Sequence, residues 1–189
     1  MDEDLKNALE EGETILFKGK PEPFQTLDKI SKPPFVITTV LTVLICTALC
    51  VSYAVNTIPS GTFKILLPIV VAAIGILIIS SVFRDARRIR NQQYVITNKR
   101  LIRKGEDVCS LPYSAVTQYV FKEDEEGHTS LLIGPDGIKA KSKNWRKLGA
   151  SSFSVNTENG KCEQAVFYGI PQPEEFRKIF VEQVLKNGR

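Results

Sequence analysis

Two long runs without a charged residue constrain this chain more than any other feature. The first covers residues 34–55 and the second covers residues 65–83. As helices they would be roughly 28 to 33 Å long, about the thickness of the hydrocarbon core of a bilayer. The sequence therefore predicts a hairpin of two transmembrane helices. A cleavable signal peptide is the alternative, but the first run begins only at residue 34 and no small-residue cleavage pattern follows it.

The charges beside the two runs predict the orientation of the hairpin. The second run is followed directly by RDARRIR, residues 84–90, which contains four arginines, whereas the connecting loop has Lys64 as its single basic residue. Lys29 and Lys32 precede the first run. Because Lys and Arg are enriched on the cytoplasmic side, we expect a multi-pass protein of the cell membrane with both termini in the cytoplasm.

Composition thus divides the chain into a cytoplasmic N-terminal segment (1–33), a transmembrane helical hairpin (34–83) and a cytoplasmic domain (84–189). Within the first segment, TILF at residues 14–17 has the composition of a strand that could join the cytoplasmic domain. Residues 1–33 also contain eight Asp or Glu against five Lys, which is typical of a flexible acidic tail. The sequence leaves both interpretations open.

The cytoplasmic domain consists mainly of short strand-like segments. YVITNKRLI, residues 94–102, predicts a β-hairpin that turns at Asn98-Lys99, because Asn tolerates the left-handed conformation of tight turns. Turns are also predicted at EDEEG (123–127), at GPDG (134–137) and at Asn159-Gly160. They separate further strand-like segments at residues 116–121, 130–133, 138–142, 152–155 and 164–168. The domain should therefore contain about seven strands, as a sandwich or small barrel would.

One helix is predicted at the C-terminal end. Pro173 suits a first helical turn, Glu174 and Glu175 complement the dipole there, and Asn187-Gly188 ends the pattern. Four apolar residues fall on one face of this helix, which should pack on the sheet: Phe176, Ile179, Phe180 and Val184.

The opening hairpin resembles the signature of the bacterial PH-domain family, formerly a family of unknown function. The residues that carry this resemblance are Tyr94, Thr97, Asn98, Lys99, Arg100 and Leu101. Residues 167–185 are similar to the ending of that family, and residues 11–24 resemble the segment before its paired membrane helices. The resemblance implies a pleckstrin-homology-like domain of about seven strands with one C-terminal α-helix. It does not imply phosphoinositide binding, because the turn at Asn98-Lys99 is too short to form a basic loop.

The sequence offers no group of residues suited to catalysis. His128 is the single histidine and we expect it in an exposed loop, while the carboxylates of residues 123–127 are interpreted as solvated. Cys109 and Cys162 show no metal-ligand spacing. We therefore predict a protein that is not an enzyme, with no catalytic residue, no metal and no cofactor.

Two groups of basic residues are candidate binding surfaces. If GIKAKSKNWRK is a strand, Lys139, Lys141 and Lys143 point to one side, and Trp145, Arg146 and Lys147 follow them. Such a surface would suit anionic head groups. The alternative is a solvated edge strand with Trp145 in the core. A weaker candidate consists of Lys99, Arg100, Arg103 and Lys104, which are equally consistent with a strand exposed to water.

The expected function is that of a membrane-anchored PH-like binding or assembly module at the inner face of a bacterial plasma membrane. Besides the bilayer, the expected partners are anionic lipid head groups, another protein or a second copy of the chain, and no nucleic acid is expected. An accessory subunit of an envelope enzyme or transporter is the alternative.

Overall fold

The chain forms two compact units in a computed structural model that describes residues 9–29, 31–56 and 63–187. One unit, Thr26–Arg84, is helical. The other unit combines Met1–Gln25 with Asp85–Arg189 and contains all the described strands, so we call it the β unit. The segments of the β unit thus lie on either side of the helical unit in the sequence.

The helical unit is made by two long apolar helices. α1 is Lys32–Asn56, and α2 is Phe63–Arg90, whose last residues belong to the β unit. Both helices are long and apolar enough to cross a membrane. Their apolar side chains are exposed, as Ile37 and Ile76 illustrate with exposures of 66% and 67%. The two predicted apolar helices are confirmed. However, α2 continues through RDARRIR to Arg90 without a break.

Small residues bring the two helices into close contact. A Cβ atom added to Gly75 would lie 3.3 Å from the Cys46 Sγ and 3.4 Å from the Thr42 Cγ2. Near the start of α1, the ring of Phe35 meets the ring of Phe83 edge to face, with centroids 5.6 Å apart. A larger residue at position 75 would push the helices apart, since small residues allow such close packing.

The β unit contains two antiparallel sheets of four strands each, and the strands do not close into a barrel. The first sheet has the order β1-β2-β3-β4, with β1 Ile15–Gly19, β2 Gln93–Thr97, β3 Arg100–Lys104 and β4 Val108–Pro112. The second has the order β5-β6-β8-β7, with β5 Tyr119–Glu123, β6 Thr129–Ile133, β7 Ser154–Val155 and β8 Cys162–Phe167. A 3-10 turn, Tyr113–Ala115, lies between the sheets in sequence. Three helices complete the unit: α3 Pro135–Lys139, α4 Ser142–Ala150 and α5 Pro173–Asn187.

The predicted hairpin at the start of the domain is confirmed. β2 and β3 pair in antiparallel register on either side of Asn98-Lys99. The hydroxyl oxygen of Thr97 accepts the backbone N–H groups of Lys99 at 3.2 Å and Arg100 at 3.0 Å. A Thr immediately before the turn therefore satisfies two of its donors.

The N-terminal segment docks on this hairpin. β1 pairs with β2 and places Phe17 in the main core, 5.2 Å from the ring of Phe176. Both polar atoms of the Asn98 side-chain amide bind the segment. The oxygen accepts the Thr14 N–H, and the nitrogen donates to the Gly12 carbonyl. For residues 15–19, the strand interpretation is confirmed and the flexible tail is wrong.

The C-terminal helix is confirmed together with its apolar face. Phe176 and Phe180 are fully buried, and Ile179 and Val184 pack on the same core. The Phe180 ring lies 5.0 Å from the ring of Tyr119, in an edge-to-face arrangement. This aromatic packing joins the helix to the second sheet.

The predicted strand at residues 138–142 and the predicted turn at residues 134–137 are both wrong. Residues 138–142, expected as a strand, lie in α3 and at the start of α4, and GPDG starts α3 instead of forming a turn. Gly134 has φ 81°, and a Cβ there would lie 2.3 Å from the Glu163 carbonyl oxygen, so glycine is required before Pro135 opens the helix. β4 was not predicted. The seven strands after α2 therefore match the expected number with one strand exchanged.

We predict that the β unit needs β1 to reach its full stability. In a soluble fusion, a short Gly-Ser linker would replace the helical unit between Gln25 and Asp85. The two ends are held close, because the Arg90 guanidinium donates to the Phe24 carbonyl at 2.9 Å. The fusion should unfold cooperatively in urea, followed by the fluorescence of Trp145, the single tryptophan. Residues 85–189 alone should unfold at a lower urea concentration.

Two neighbouring residues of β1 provide the matched control. In the fusion, Phe17→Ala should cost about 3 to 5 kcal/mol because it removes a buried ring. Leu16→Ala, at a position that is 41% exposed, should change the free energy of unfolding by less than about 0.5 kcal/mol. Equal urea midpoints with and without residues 1–25 would contradict the assignment of β1 to this unit.

Candidate functional site

Four exposed lysines cluster on the helices that were expected to be a strand. Lys139 ends α3, Lys141 is the N-cap residue of α4, and Lys143 and Lys147 lie one turn apart on α4. We call these four residues the basic helical surface. Between residues 135 and 150 the sequence contains one acidic residue, Asp136. The surface thus carries a concentrated positive charge. Lys139 and Lys143 lie in two helices and Lys141 lies between them, so the three lysines do not share one strand.

Trp145 is not part of the exposed surface. It is 3% exposed, and its indole N–H donates to the Ala140 carbonyl at 3.0 Å. It belongs to a buried cluster with Leu132 and Val166 of the second sheet. The interpretation that placed Trp145 at a membrane interface is wrong. The alternative, which placed Trp145 in the core, is confirmed for this residue. Trp145 holds α4 against the sheet and so fixes the position of the lysines.

Arg146 is also turned towards the protein. Its guanidinium donates to the Tyr168 hydroxyl at 2.9 Å and to the Gln25 carbonyl at 3.0 Å, and it stacks 4.5 Å above the Phe24 ring. The side chain therefore joins α4, the end of β8 and the N-terminal segment. A planar cation with several donors suits this combination of stacking and hydrogen bonding.

Tyr168 connects this arginine to a buried carboxylate. Its hydroxyl donates to the Asp124 Oδ2 at 2.7 Å, and the Asp124 side chain is 1% exposed. The His128 ring stacks on Tyr168, and its Nδ1 lies 3.5 Å from the Asp124 Oδ1. The expectations of a solvated Asp124 and an exposed His128 are both wrong. Burial raises the pKa of Tyr168, as does its hydrogen bond to Asp124, so the phenol stays protonated.

No sequence pattern indicates the cluster formed by Phe24, Asp124, His128, Arg146 and Tyr168. Its members come from the N-terminal segment, from the β5–β6 turn, from α4 and from the end of β8. Only tertiary structure brings these segments together, and no local spacing connects them. The phenol and the guanidinium bond to other groups of the protein, so the cluster serves to fasten Pro23–Gln25 to the rest of the β unit.

The weaker basic candidate is largely neutralised by acidic residues of the N-terminal segment. The Arg100 guanidinium lies 3.0 Å from the Glu13 carboxylate and 3.2 Å from that of Glu10, and the Lys99 Nζ lies 3.6 Å from Glu10. Burial tends to raise the pKa of Glu13, but hydrogen bonds from Arg100, the Glu10 N–H and the Thr97 hydroxyl lower it overall. The hydrogen bond between Arg100 and Glu13 also raises the pKa of Arg100. These contacts hold the segment to the β2–β3 turn.

The remaining two residues of that candidate do not form a water-exposed row either. Arg103 is 3% exposed, whereas Lys104 at the end of β3 is partly exposed. The Arg103 guanidinium donates to the Val166 carbonyl at 3.1 Å and to the Ser151 carbonyl, and it stacks 4.4 Å above the Phe153 ring. The interpretation of this strand as an exposed basic stripe is therefore wrong for Arg103.

The cysteines and carboxylates do not come together as metal ligands in the part of the chain that the structure describes. Cys162 is 1% exposed, and burial raises the pKa of its thiol to about 11, which keeps it protonated at neutral pH. Cys109 on β4 is partly exposed.

No protein-family model, curated protein or solved structure matches the chain. The resemblance of Tyr94 and residues 97–101 to the signature of bacterial PH domains therefore stays a prediction.

We predict that Glu13 makes the stability of the β unit depend on pH. Because its folded-state pKa is lowered, the ionised carboxylate stabilises the fold above the unfolded pKa of about 4.3, and this contribution is lost as the pH falls through the folded-state value. Glu13→Gln should cost roughly 1 to 3 kcal/mol at pH 7. The difference in free energy of unfolding between this variant and the native chain should shrink below about pH 4.

Urea unfolding of the full chain in detergent micelles, followed by Trp145 fluorescence, measures both quantities. Glu10→Gln is the control, because this glutamate also contacts Arg100 but its side chain is 56% exposed. Removing the charge of Glu10 should lower the free energy of unfolding by less than about 1 kcal/mol. A Glu13→Gln difference that stays constant from pH 7 to pH 3 would contradict the assignment.

Proposed function

We propose that this chain is a membrane-anchored, PH-like binding module whose basic helical surface binds anionic lipid head groups. The observation that carries the proposal is the set of four exposed lysines on α3 and α4, at positions 139, 141, 143 and 147. The two apolar helices supply the anchor in this proposal, and the β unit supplies the binding surface. A protein partner or a second copy of the chain on the same surface is an outcome that the experiments below distinguish.

The rigidity of the lysine-bearing segment supports the proposal. Trp145 and Arg146 of α4 are held by hydrogen bonds and by aromatic contacts, so the backbone beneath the lysines is ordered. Long lysine side chains on an ordered helix can contact head groups without the cost of ordering a loop. Each lysine near an anionic surface contributes about 1 kcal/mol, and salt screens this attraction strongly.

The proposed orientation places the β unit on the cytoplasmic side. The arginines of residues 84–90 and the near absence of basic residues from the loop at 56–64 support it. Anionic lipids give the cytoplasmic leaflet a negative surface potential, so in this orientation the lysines are on the side of the membrane whose leaflet attracts them. The membrane in question would be a bacterial plasma membrane, as the resemblance to bacterial PH domains implies.

A binding role is favoured over catalysis by the use that the β unit makes of its polar groups. Arg146 and Tyr168 bond to other groups of the protein, and the Asp124 carboxylate accepts the Tyr168 hydroxyl and two backbone N–H groups. Arg100 and Glu13 are likewise paired with each other. These contacts stabilise the fold and hold α4 in place, while the four lysines remain exposed at the surface.

We predict that the basic helical surface determines binding to anionic vesicles. In the soluble fusion, replacing Lys139, Lys141, Lys143 and Lys147 by Gln should lower partition onto vesicles containing phosphatidylglycerol by at least about tenfold at low salt. The matched control replaces four exposed lysines on other elements by Gln: Lys18, Lys161, Lys178 and Lys186. Vesicle sedimentation measures the bound fraction.

The two sets of variants change the net charge equally, so they separate a local surface from overall charge. Equal losses in both sets would show attraction by net charge alone and contradict a defined surface. An unchanged bound fraction in the first set would remove this surface as a lipid site. Binding by the native fusion to the native full chain, abolished by the first set only, would point instead to self-association.

We predict that the loop between the two helices lies outside the cell and that the β unit lies in the cytoplasm. Starting from a chain whose four cysteines are replaced by Ser or Ala, a cysteine introduced at Ser60 should react with an impermeant maleimide in intact cells. A cysteine introduced at Lys161 should react only after the membrane is opened. Ser60 and the C-terminal Gly188 lie outside the described residues, so Lys161, which is exposed, is the better cytoplasmic marker. The opposite labelling pattern would reverse the orientation.

A further inference from the structure

A small polar pocket lies in the β unit, and none of the four lysines lines it. It has a volume of about 110 Å³ and is formed by the β3–β4 turn, the last turns of α2 and the residues that follow α4. The side chains that matter for its chemistry are Arg88, Gln92, Arg103, Cys109, Ser151 and Ser152. A pocket of this size is large enough for several waters or for one small oxyanion.

Arg103 brings an unusual charge to this pocket. It is 3% exposed, and its partners are the carbonyl groups of Val166 and Ser151, the face of Phe153 and the thiol of Cys109. No carboxylate in the described part of the chain lies within ion-pair distance of it. Burial lowers the pKa of the guanidinium, which shows the cost of placing a cation there without an anion.

The second arginine of the pocket already binds a carboxylate. The Arg88 Nε lies 2.9 Å from the Glu106 Oε2, and the two side chains are 42% and 64% exposed. Such an exposed pair contributes little to stability and exchanges readily. Glu106 lies in the β3–β4 turn beside Asp107, and both line the pocket. Glu106 therefore occupies a guanidinium that an incoming anion would otherwise bind.

We propose that this pocket binds a phosphate-type oxyanion, either the phosphate group of a small soluble molecule or that of a lipid head group. A guanidinium has five N–H donors in a planar fork that matches the oxygens of phosphate. Arg88 and Arg103 bring two positive charges to the pocket, and Glu106 and Asp107 balance them, so the phosphate group enters in place of the Glu106 carboxylate. The ligand compensates the charge of Arg103 and replaces Glu106 at Arg88. The site uses none of the four lysines, so it goes beyond the binding surface proposed above.

Cys109 makes the pocket accessible to experiment. It lines the pocket and is partly exposed, whereas Cys162 is 1% exposed. In the full chain with Cys46→Ser and Cys50→Ser, held in maltoside micelles, Cys109 becomes the main reactive thiol. Mass spectrometry follows its alkylation by iodoacetamide with inorganic phosphate, with acetate or with chloride at equal ionic strength. Phosphate at ten times its Kd should slow the reaction by roughly tenfold, and the effect should saturate.

Two exposed variants have opposite expected effects and do not disturb the core. Arg88→Gln should weaken phosphate protection of Cys109 by about tenfold or more in Kd, because it removes a charged donor. Glu106→Gln should strengthen protection, because it removes the competing carboxylate. The matched controls are Arg177→Gln and Glu174→Gln, which alter a similarly exposed pair on α5 and should leave the Kd unchanged. Protection is compared within each variant, so a change in thiol reactivity does not affect the result.

The source of the phosphate is distinguished by placing the same chain in nanodiscs. Protection by inorganic phosphate in micelles identifies a soluble ligand. Protection without added phosphate in nanodiscs with phosphatidic acid, but not with phosphatidylglycerol alone, identifies a head-group phosphate. The proposal is overturned if Cys109 is not protected in either setting. It is also overturned if acetate protects Cys109 as well as phosphate does, or if the Arg88 and Arg177 variants respond equally. Replacing the four lysines by Gln should leave protection unchanged, so this site and the lipid surface are tested separately.

Discussion

The pairing of β1 with β2 is the contact on which the rest of the β unit depends. It joins two chain segments that are separated by the whole helical unit, and it places Phe17 in the core beneath α5. The entropy of closing so long a connection must be offset by many contacts. Three further contacts hold the N-terminal segment to the rest of the β unit: the hydrogen bonds of the Asn98 amide, the Arg100–Glu13 ion pair and the Arg146–Gln25 hydrogen bond. The N-terminal segment is therefore a structural part of the domain.

Arginine and lysine have different roles in this unit. Arg146 stacks on Phe24, Arg103 stacks on Phe153 and Arg177 stacks on Phe121. The lysines of α3 and α4 extend into solvent instead. The guanidinium is planar and more weakly hydrated than an ammonium group, so it packs on rings and bonds to carbonyl groups more readily than a lysine does. Basic residues that look equivalent in the sequence are thus divided between internal support and the candidate surface.

The elements that could be predicted from the sequence are those with a strong local cause. The uncharged runs predict α1 and α2, the Thr97-Asn98-Lys99 turn predicts the first hairpin, and the periodicity of Phe176 and Phe180 predicts α5. Residues 138–142 were predicted as a strand because Lys139, Lys141 and Lys143 recur at every second position, as side chains on one face of a strand do. The spacing of three between Trp145 and Leu148, both of which face the core cluster, agrees with a helix. β4 was missed because it has one buried residue, Leu111, and therefore a weak apolar pattern.

By itself the sequence determined which segments are apolar, the position of the first hairpin turn and which face of α5 is apolar, since these properties depend on neighbouring residues along the chain. Only the tertiary structure decided which charges remain at the surface. Arg103 and Asp124 are buried because distant segments supply their partners, and no local pattern records those segments. The candidate site changed accordingly from a strand with an exposed Trp to two helices that carry four lysines above a buried Trp145. The free energy of burying a charge depends on the groups that surround it in three dimensions, and those groups come from all parts of the chain.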